Sequence, residues 1–104
     1  MATMKECIAK VLTDKEGRMI LKLLKNKEMP FTKIQMYLEK EFGRTVHNQS
    51  LTRILHELDK YGLIYQKLTR KSPKYYSYYE LSPLGRDILN YVRRIEKTLP
   101  ITAS

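Results

Sequence analysis

Residues 32–81 read TKIQMYLEKEFGRTVHNQSLTRILHELDKYGLIYQKLTRKSPKYYSYYEL, and the order of patterns inside this stretch decides the fold. Ile34, Tyr37, Leu38 and Phe42 recur at helical spacing and form one apolar face, and Gly43 ends the run as a left-handed cap. After the break "GRTV", the segment His47–Tyr61 carries Leu51, Ile54, Leu55 and Leu58 three and four residues apart, a second amphipathic helix with one side committed to a core. "YGLIYQKL" then reads as a strand, "TRKSPK" as a basic turn marked by Pro73, and "YYSYYEL" as the returning strand. Strand alternation sends Tyr75, Ser77, Tyr79 and Leu81 one way and Tyr76, Tyr78 and Glu80 the other. Since Leu81 should be buried, Tyr79 is expected at the core or its rim. Tyr76 and Tyr78 are expected to pack across the strand pair near Tyr65 rather than to stack on bases.

Working outward, Thr3 with Glu6 has capping-box spacing ahead of Met4, Cys7, Ile8, Val11 and Leu12. Thr13 with Glu16 repeats the spacing before Met19, Ile20, Leu23 and Leu24, in a helix that should stop near Asn26, before Pro30. Glu28 to Phe31 reads as a short extended segment. Thr32 with Gln35 predicts a third cap, with Phe31 and Met36 placed as a hydrophobic staple. Ser82 before Pro83 starts a last helix that runs to about Leu99. Its stripe of Leu84, Ile88, Tyr91, Val92, Ile95 and Leu99, broadened by Leu89, is wide for a terminal helix, which predicts packing on a second copy in a two-fold dimer. Met4, Ile8, Val11 and Leu12 would contribute from the first helix; the alternative is that the last helix folds back on its own core.

The chain of 104 residues, 42% of them hydrophobic, has the size of one domain with one modest core. The segments divide it into an N-terminal helix (residues 1–13), a central unit (14–81) and a C-terminal dimerisation helix (82–99). No apolar run approaches the roughly 18 residues a membrane span needs, and "MATMKECIAK" lacks the apolar stretch of a signal peptide, so a cytoplasmic protein with no membrane partner is expected. Cys7, the single cysteine, cannot form an intrachain disulfide. His47 and His56 show no metal-ligand spacing, and there is neither a Gly-rich phosphate loop nor a nucleophile elbow. We therefore expect no metal, no cofactor and no enzyme; any small-molecule effector is unknown.

Charge points to a partner. The formal net charge is +9, from 20 Lys and Arg against 11 Asp and Glu, which suits an acidic polymer or surface. The 20 residues between Asp59 and Glu80 hold Lys60, Lys67, Arg70, Lys71 and Lys74 and no acid. Opposite the apolar side of the second helix stand Gln49, Ser50, Thr52, Arg53, His56 and Lys60, with Asn48 at its start. Asn and Gln can pair with adenine, Arg with guanine, and Ser or Thr with base edges or phosphate. Asn48, Gln49, Ser50 and Arg53 are expected nearest the bases of duplex DNA, with Thr52, His56 and Lys60 nearer the backbone. Lys67, Arg70, Lys71 and Lys74 would meet phosphates. The outline is α+β: a winged helix-turn-helix with a three-helix core, a two-stranded β wing, and N- and C-terminal dimerisation helices. An architectural DNA-binding protein without sequence preference, or a winged helix that meets an acidic protein, would share these features.

"FTKIQMYL", "SLTRILHELDKYGLI" and "YELSPLG" resemble, in that order and spacing, the winged-helix transcriptional regulators of prokaryotes. The resemblance spans about residues 7–95 and is greatest to the HxlR group, looser to the MarR, ArsR and PadR groups. It implies a dimeric DNA-binding regulator with Asn48 to Arg53 in the major groove and the wing near the minor groove. It also implies a redox or electrophile-sensing role for Cys7, whereas the place of Cys7 on an apolar stripe points to a core or interface residue.

Overall fold

The computed structural model describes residues 2–71 and 74–98, without the side chains of residues 69–71, 74–76 and 98. Helix α1 (Met4–Thr13) opens on the expected capping box: the Thr3 hydroxyl accepts from the Glu6 amide at 3.2 Å, and Glu6 Oε1 accepts from the Thr3 amide at 3.2 Å. Helix α2 (Lys15–Asn26) corrects the second predicted cap. Helix α1 continues through Thr13, whose hydroxyl donates back to the Ala9 carbonyl, so the first extended residue is Asp14 and its carboxylate takes the Gly17 amide at 2.9 Å. Both side chains can cap, and the backbone decides which one stands outside the helix.

Strand β1 (Met29–Pro30) leads directly into helix α3 (Phe31–Phe42). The Thr32 cap and the Phe31–Met36 staple do not form. Pro30 is held in the sheet and is itself the N-cap, which starts the helix two residues earlier; Met36 is 64% exposed, while Phe31 packs against the core. Gly43 caps α3 at φ 64°, a left-handed conformation that disfavours a side chain.

Helix α4 (Asn48–Lys60) is followed by strands β2 (Ile64–Lys71) and β3 (Lys74–Leu81) and helix α5 (Pro83–Thr98). The antiparallel sheet has the order β1-β3-β2, so the expected two-stranded wing gains a third strand at its base, where Met29 pairs with Tyr79 and Pro30 with Tyr78. In the hairpin, Ile64 opposes Leu81, Lys67 opposes Tyr78 and Lys71 opposes Lys74. Ile64 and Leu81 are buried, but farther out on the same face Leu68 is exposed, because the hairpin projects beyond the core.

Leu51, Ile54, Leu55 and Leu58 of α4 are all buried, packed with Ile20, Leu21 and Leu24 of α2 and Ile34 and Leu38 of α3. Helix α5 folds back on α1 and α2. Val11, Ile88 and Val92 are thereby enclosed within the chain's own core, along with Leu89, and Ile8 and Leu84 are half-buried against it. This corrects part of the predicted interface: a side chain without exposed surface has nothing to offer a second copy. Ile95 is half-buried, Met4 is 56% and Tyr91 46% exposed, and Leu99 lies outside the described residues.

Candidate nucleic-acid interface

Both ends of α4 are held by side chains distant in sequence. At its start, the buried Val46 has both of its backbone polar groups tied to α3: Glu39 Oε2 accepts from the Val46 amide at 2.9 Å, and Gln35 Nε2 donates to the Val46 carbonyl at 2.7 Å. Gln35 and Glu39 are four residues apart and so share one face of α3. Arg44, in the turn, pairs with Glu16 of α2 at 2.7 Å. These ties replace the solvation that the turn's polar groups lose on burial. Between α3 and the start of α4 lies a shallow groove of about 560 Å³, lined by Gln35, Thr45 and Asn48 among others.

At its other end, α4 meets α5. The buried Ser82 hydroxyl accepts from the Gly85 amide at 2.8 Å, the expected cap of α5, and donates to the Gly62 carbonyl at 2.6 Å. One hydroxyl thus joins the last helix to the exit of α4. Along its length α4 is tied to α1 by Lys10, which pairs with Glu57 and, at 3.2 Å, with Asp14. Burial alone would lower the Lys10 pKa, but the hydrogen bonds to Glu57 and Asp14 outweigh it and hold the amine above its ordinary value.

The outward face of α4 follows from 100° per residue. Gln49, Arg53, His56 and Lys60 stand near its centre, with Thr52 beside them, and all five are exposed. The expected set needs two adjustments. Ser50 is half-buried, on the flank that Glu57 shares, which moves it off the base-facing centre. Asn48 is exposed, but its Oδ1 accepts from Gln35 Nε2 at 2.7 Å. Among the described residues Arg53 forms no ion pair, so its guanidinium is available to a ligand.

The hairpin stands beside this helix. Lys67 is exposed, yet its amine is 3.1 Å from Glu80 Oε2, which partly neutralises it. In the linear sequence Glu80 lies thirteen residues beyond Lys67; the strand register brings it back alongside. The backbones of Arg70, Lys71 and Lys74 continue the strands, and their side chains lie outside the described residues. Tyr79 packs on the core as expected, and burial, with the Asp59 charge, raises its pKa. Pairing of β1 with β3 also brings Lys27 and Lys33 next to Tyr37 and Tyr78, around a cleft of about 530 Å³. Lys27 and Lys33 were not among the predicted contacts, since they lie far from the hairpin in sequence.

Cys7 is 1% exposed, and its thiol donates to the Tyr61 carbonyl at 3.6 Å. Burial, aided by the Glu6 charge, raises its pKa. A sensor needs an accessible thiolate, so this geometry runs against the redox role and favours the core reading. No helix of the described residues is long and apolar enough to cross a membrane.

No family model and no curated protein matches the chain. Solved structures do match. A PadR family transcription regulator from Clostridium difficile superposes with a TM-score of 0.71 at 17% identity, over 82% of this chain and 90% of that one. A PadR-like transcription factor from Bacteroides fragilis gives 0.70 at 23% identity, over 84% of each chain. RosR of H. salinarum, in a complex structure, gives 0.70 at 26% identity over 93% of this chain and 79% of that one. The likeness shows the fold: this chain has the α+β architecture of the winged-helix regulators. The neighbours are of PadR and related types, and the HxlR group is not specifically indicated.

Proposed function

We propose that the chain is a sequence-specific, double-stranded-DNA-binding transcriptional regulator that acts as a homodimer in the cytoplasm. One observation carries the reading: α4 presents a polar outward face whose centre holds two cations and no acid, it is braced at both ends, and a basic hairpin stands beside it. A helix held this way can enter a major groove without paying to order itself first. Gln49 and Arg53 are the base readers, with Asn48 beside them; Thr52, His56 and Lys60 flank them toward the backbone. Arg70, Lys71 and Lys74 are the phosphate contacts of the wing, with Lys67 secondary because Glu80 shares its charge. That the structural neighbours are themselves described as transcriptional regulators supports this reading.

The dimer would place two α4 helices on half-sites about one helical turn apart. Its surface is the exposed remainder of the predicted stripe, Met4 and Leu12 on α1 and Tyr91 on α5, two helices that pack on each other.

Titration against random duplex, single strand and RNA at two salt concentrations, followed by selection of bound sites from a random duplex library, tests the proposal. The expected result is a two-part site with fixed spacing. Arg53→Ala should lose discrimination between selected and random DNA, a change of roughly 1–3 kcal/mol. Neutralising Arg70 and Lys71 together should weaken binding to both and flatten the salt slope by about two. Equal affinity for every duplex would replace the regulator with an architectural DNA-binding protein. No affinity for nucleic acid even at low salt would leave a protein-interaction module.

A further inference from the structure

The amide of Gln35 reaches from α3 to the start of the presented face of α4. Its Nε2 donates to the Val46 carbonyl and to Asn48 Oδ1, each at 2.7 Å. A primary amide nitrogen carries two hydrogens, and these two bonds use both. Val46 is buried and its amide is fixed by Glu39, so the carbonyl that Gln35 grips does not move. Gln35 is therefore anchored at one hydrogen and aims the other at Asn48.

From this we infer that Gln35 fixes the hydrogen-bonding sense of Asn48, so that Asn48 presents N–H donors outward and reads an acceptor edge of a base instead of pairing with adenine. The inference rests on the DNA-binding reading above and makes it sharper at one position. Pairing of asparagine with adenine needs the side-chain oxygen to accept from N6 while the nitrogen donates to N7. With Oδ1 directed to Gln35, that two-point pairing is disfavoured and Nδ2 with its two hydrogens is the group left to read a base. In the major groove guanine offers acceptors at O6 and N7 and thymine one at O4; adenine sets its N7 acceptor beside an N6 donor that would oppose the second Asn48 N–H, and cytosine shows only a donor. The base opposite Asn48 should thus be guanine or thymine. Turning the Asn48 amide over would set its N–H groups against the Gln35 N–H group, two donors facing each other, so the orientation is chosen chemically and not only by packing. Gln35 does not itself touch the base; it is a positioning residue.

Bound sites are selected from a random duplex library with the wild-type protein, Asn48→Ala, Gln35→Leu and Gln35→Met, with thermal unfolding of each measured alongside. Asn48→Ala identifies the position, because it should flatten preference there and nowhere else. At that position the wild type should favour guanine or thymine over adenine, roughly tenfold. The Gln35 variants, which release Oδ1, should move the preference toward adenine and leave the other positions unchanged. A purely structural role for Gln35 would weaken all positions together. Adenine preferred by the wild type overturns the inference, as does an unchanged preference in a folded Gln35 variant or no position that answers to Asn48→Ala. If neither Gln35 variant folds, the wild-type base at the Asn48→Ala position still decides. Retention of duplex on the library column keeps the two readings apart: a wild-type protein that retains DNA but prefers adenine sinks only the orientation of Asn48, while one that retains none sinks both.

Discussion

At Gly85 an added Cβ would sit 2.1 Å from the Leu63 carbonyl oxygen and 2.9 Å from a Leu81 methyl. The backbone atom cannot yield, because that same carbonyl accepts from the Ser82 amide at 3.0 Å. Gly85→Ala should therefore lower stability by about 3 kcal/mol or more, measured by urea unfolding. Ser82→Ala removes a helix cap and the hydrogen bond to Gly62 together, and should cost about 1–2 kcal/mol in the same measurement. Cys7 offers a third test. Enclosed and with its pKa raised, its thiol should alkylate at least about tenfold more slowly in the native protein than in urea. A native rate equal to the unfolded one would return Cys7 to the list of sensors.

At the scale of elements, α4 packs on α2 and β2 and is tied to α1 through Lys10. Three groups with raised pKa values surround it: the Cys7 thiol at the Tyr61 carbonyl, the Lys10 amine at Glu57, and the Tyr79 hydroxyl near Asp59. Each holds its proton more tightly in the folded chain than in the unfolded one. Stability from all three is thus complete below their ordinary values of 9.0, 10.0 and 10.5, and is lost as pH rises through and beyond them. Unfolding followed from pH 7 to 11 should show a fall that begins near pH 9, and Lys10→Met should remove its upper part. Glu6 has the opposite sign. Its pKa is lowered by hydrogen bonds from the Thr3 backbone and side chain, so α1 should fray as pH falls through and below 4.5, seen as a loss of amide-exchange protection in its first turn relative to the intrinsic rate at each pH. Apolar spacing made the helices legible: every residue of the stripe Leu51, Ile54, Leu55 and Leu58 is buried as its period requires. The caps were less so. Thr13 and Asp14 are both competent, and the choice depends on where the preceding helix stops.

For the whole molecule, the open question is what α5 packs against. An amphipathic stripe states that a face will be covered and not by what. Here Ile88, Leu89 and Val92 are covered by the same chain, leaving Tyr91, with Met4 and Leu12 of α1, exposed. If these form the proposed dimer, Tyr91→Asp and Met4→Asp should give a monomer by sedimentation with little change in unfolding of the isolated chain. Affinity for a two-part site should then fall at least about tenfold, while affinity for a single half-site stays constant. A wild-type protein that sediments as a monomer bound to its full site would remove the dimer.

What the sequence determined by itself is the order and type of the elements and the polar face of α4, because periodicity and chain breakers act locally. The placement of Tyr79 and Leu81 on one side of the hairpin belongs here too, since alternation along a strand is a property of the backbone. Only the tertiary structure decided which polar groups meet: Gln35 with Asn48, Glu80 with Lys67, Ser82 with Gly62, and Lys27 and Lys33 with the base of the hairpin. These pairings join residues 13 to 51 positions apart, set by strand register and helix packing, and a local pattern carries no record of them. The same holds for Val11, Ile88 and Val92, which one core closes over before a second copy can.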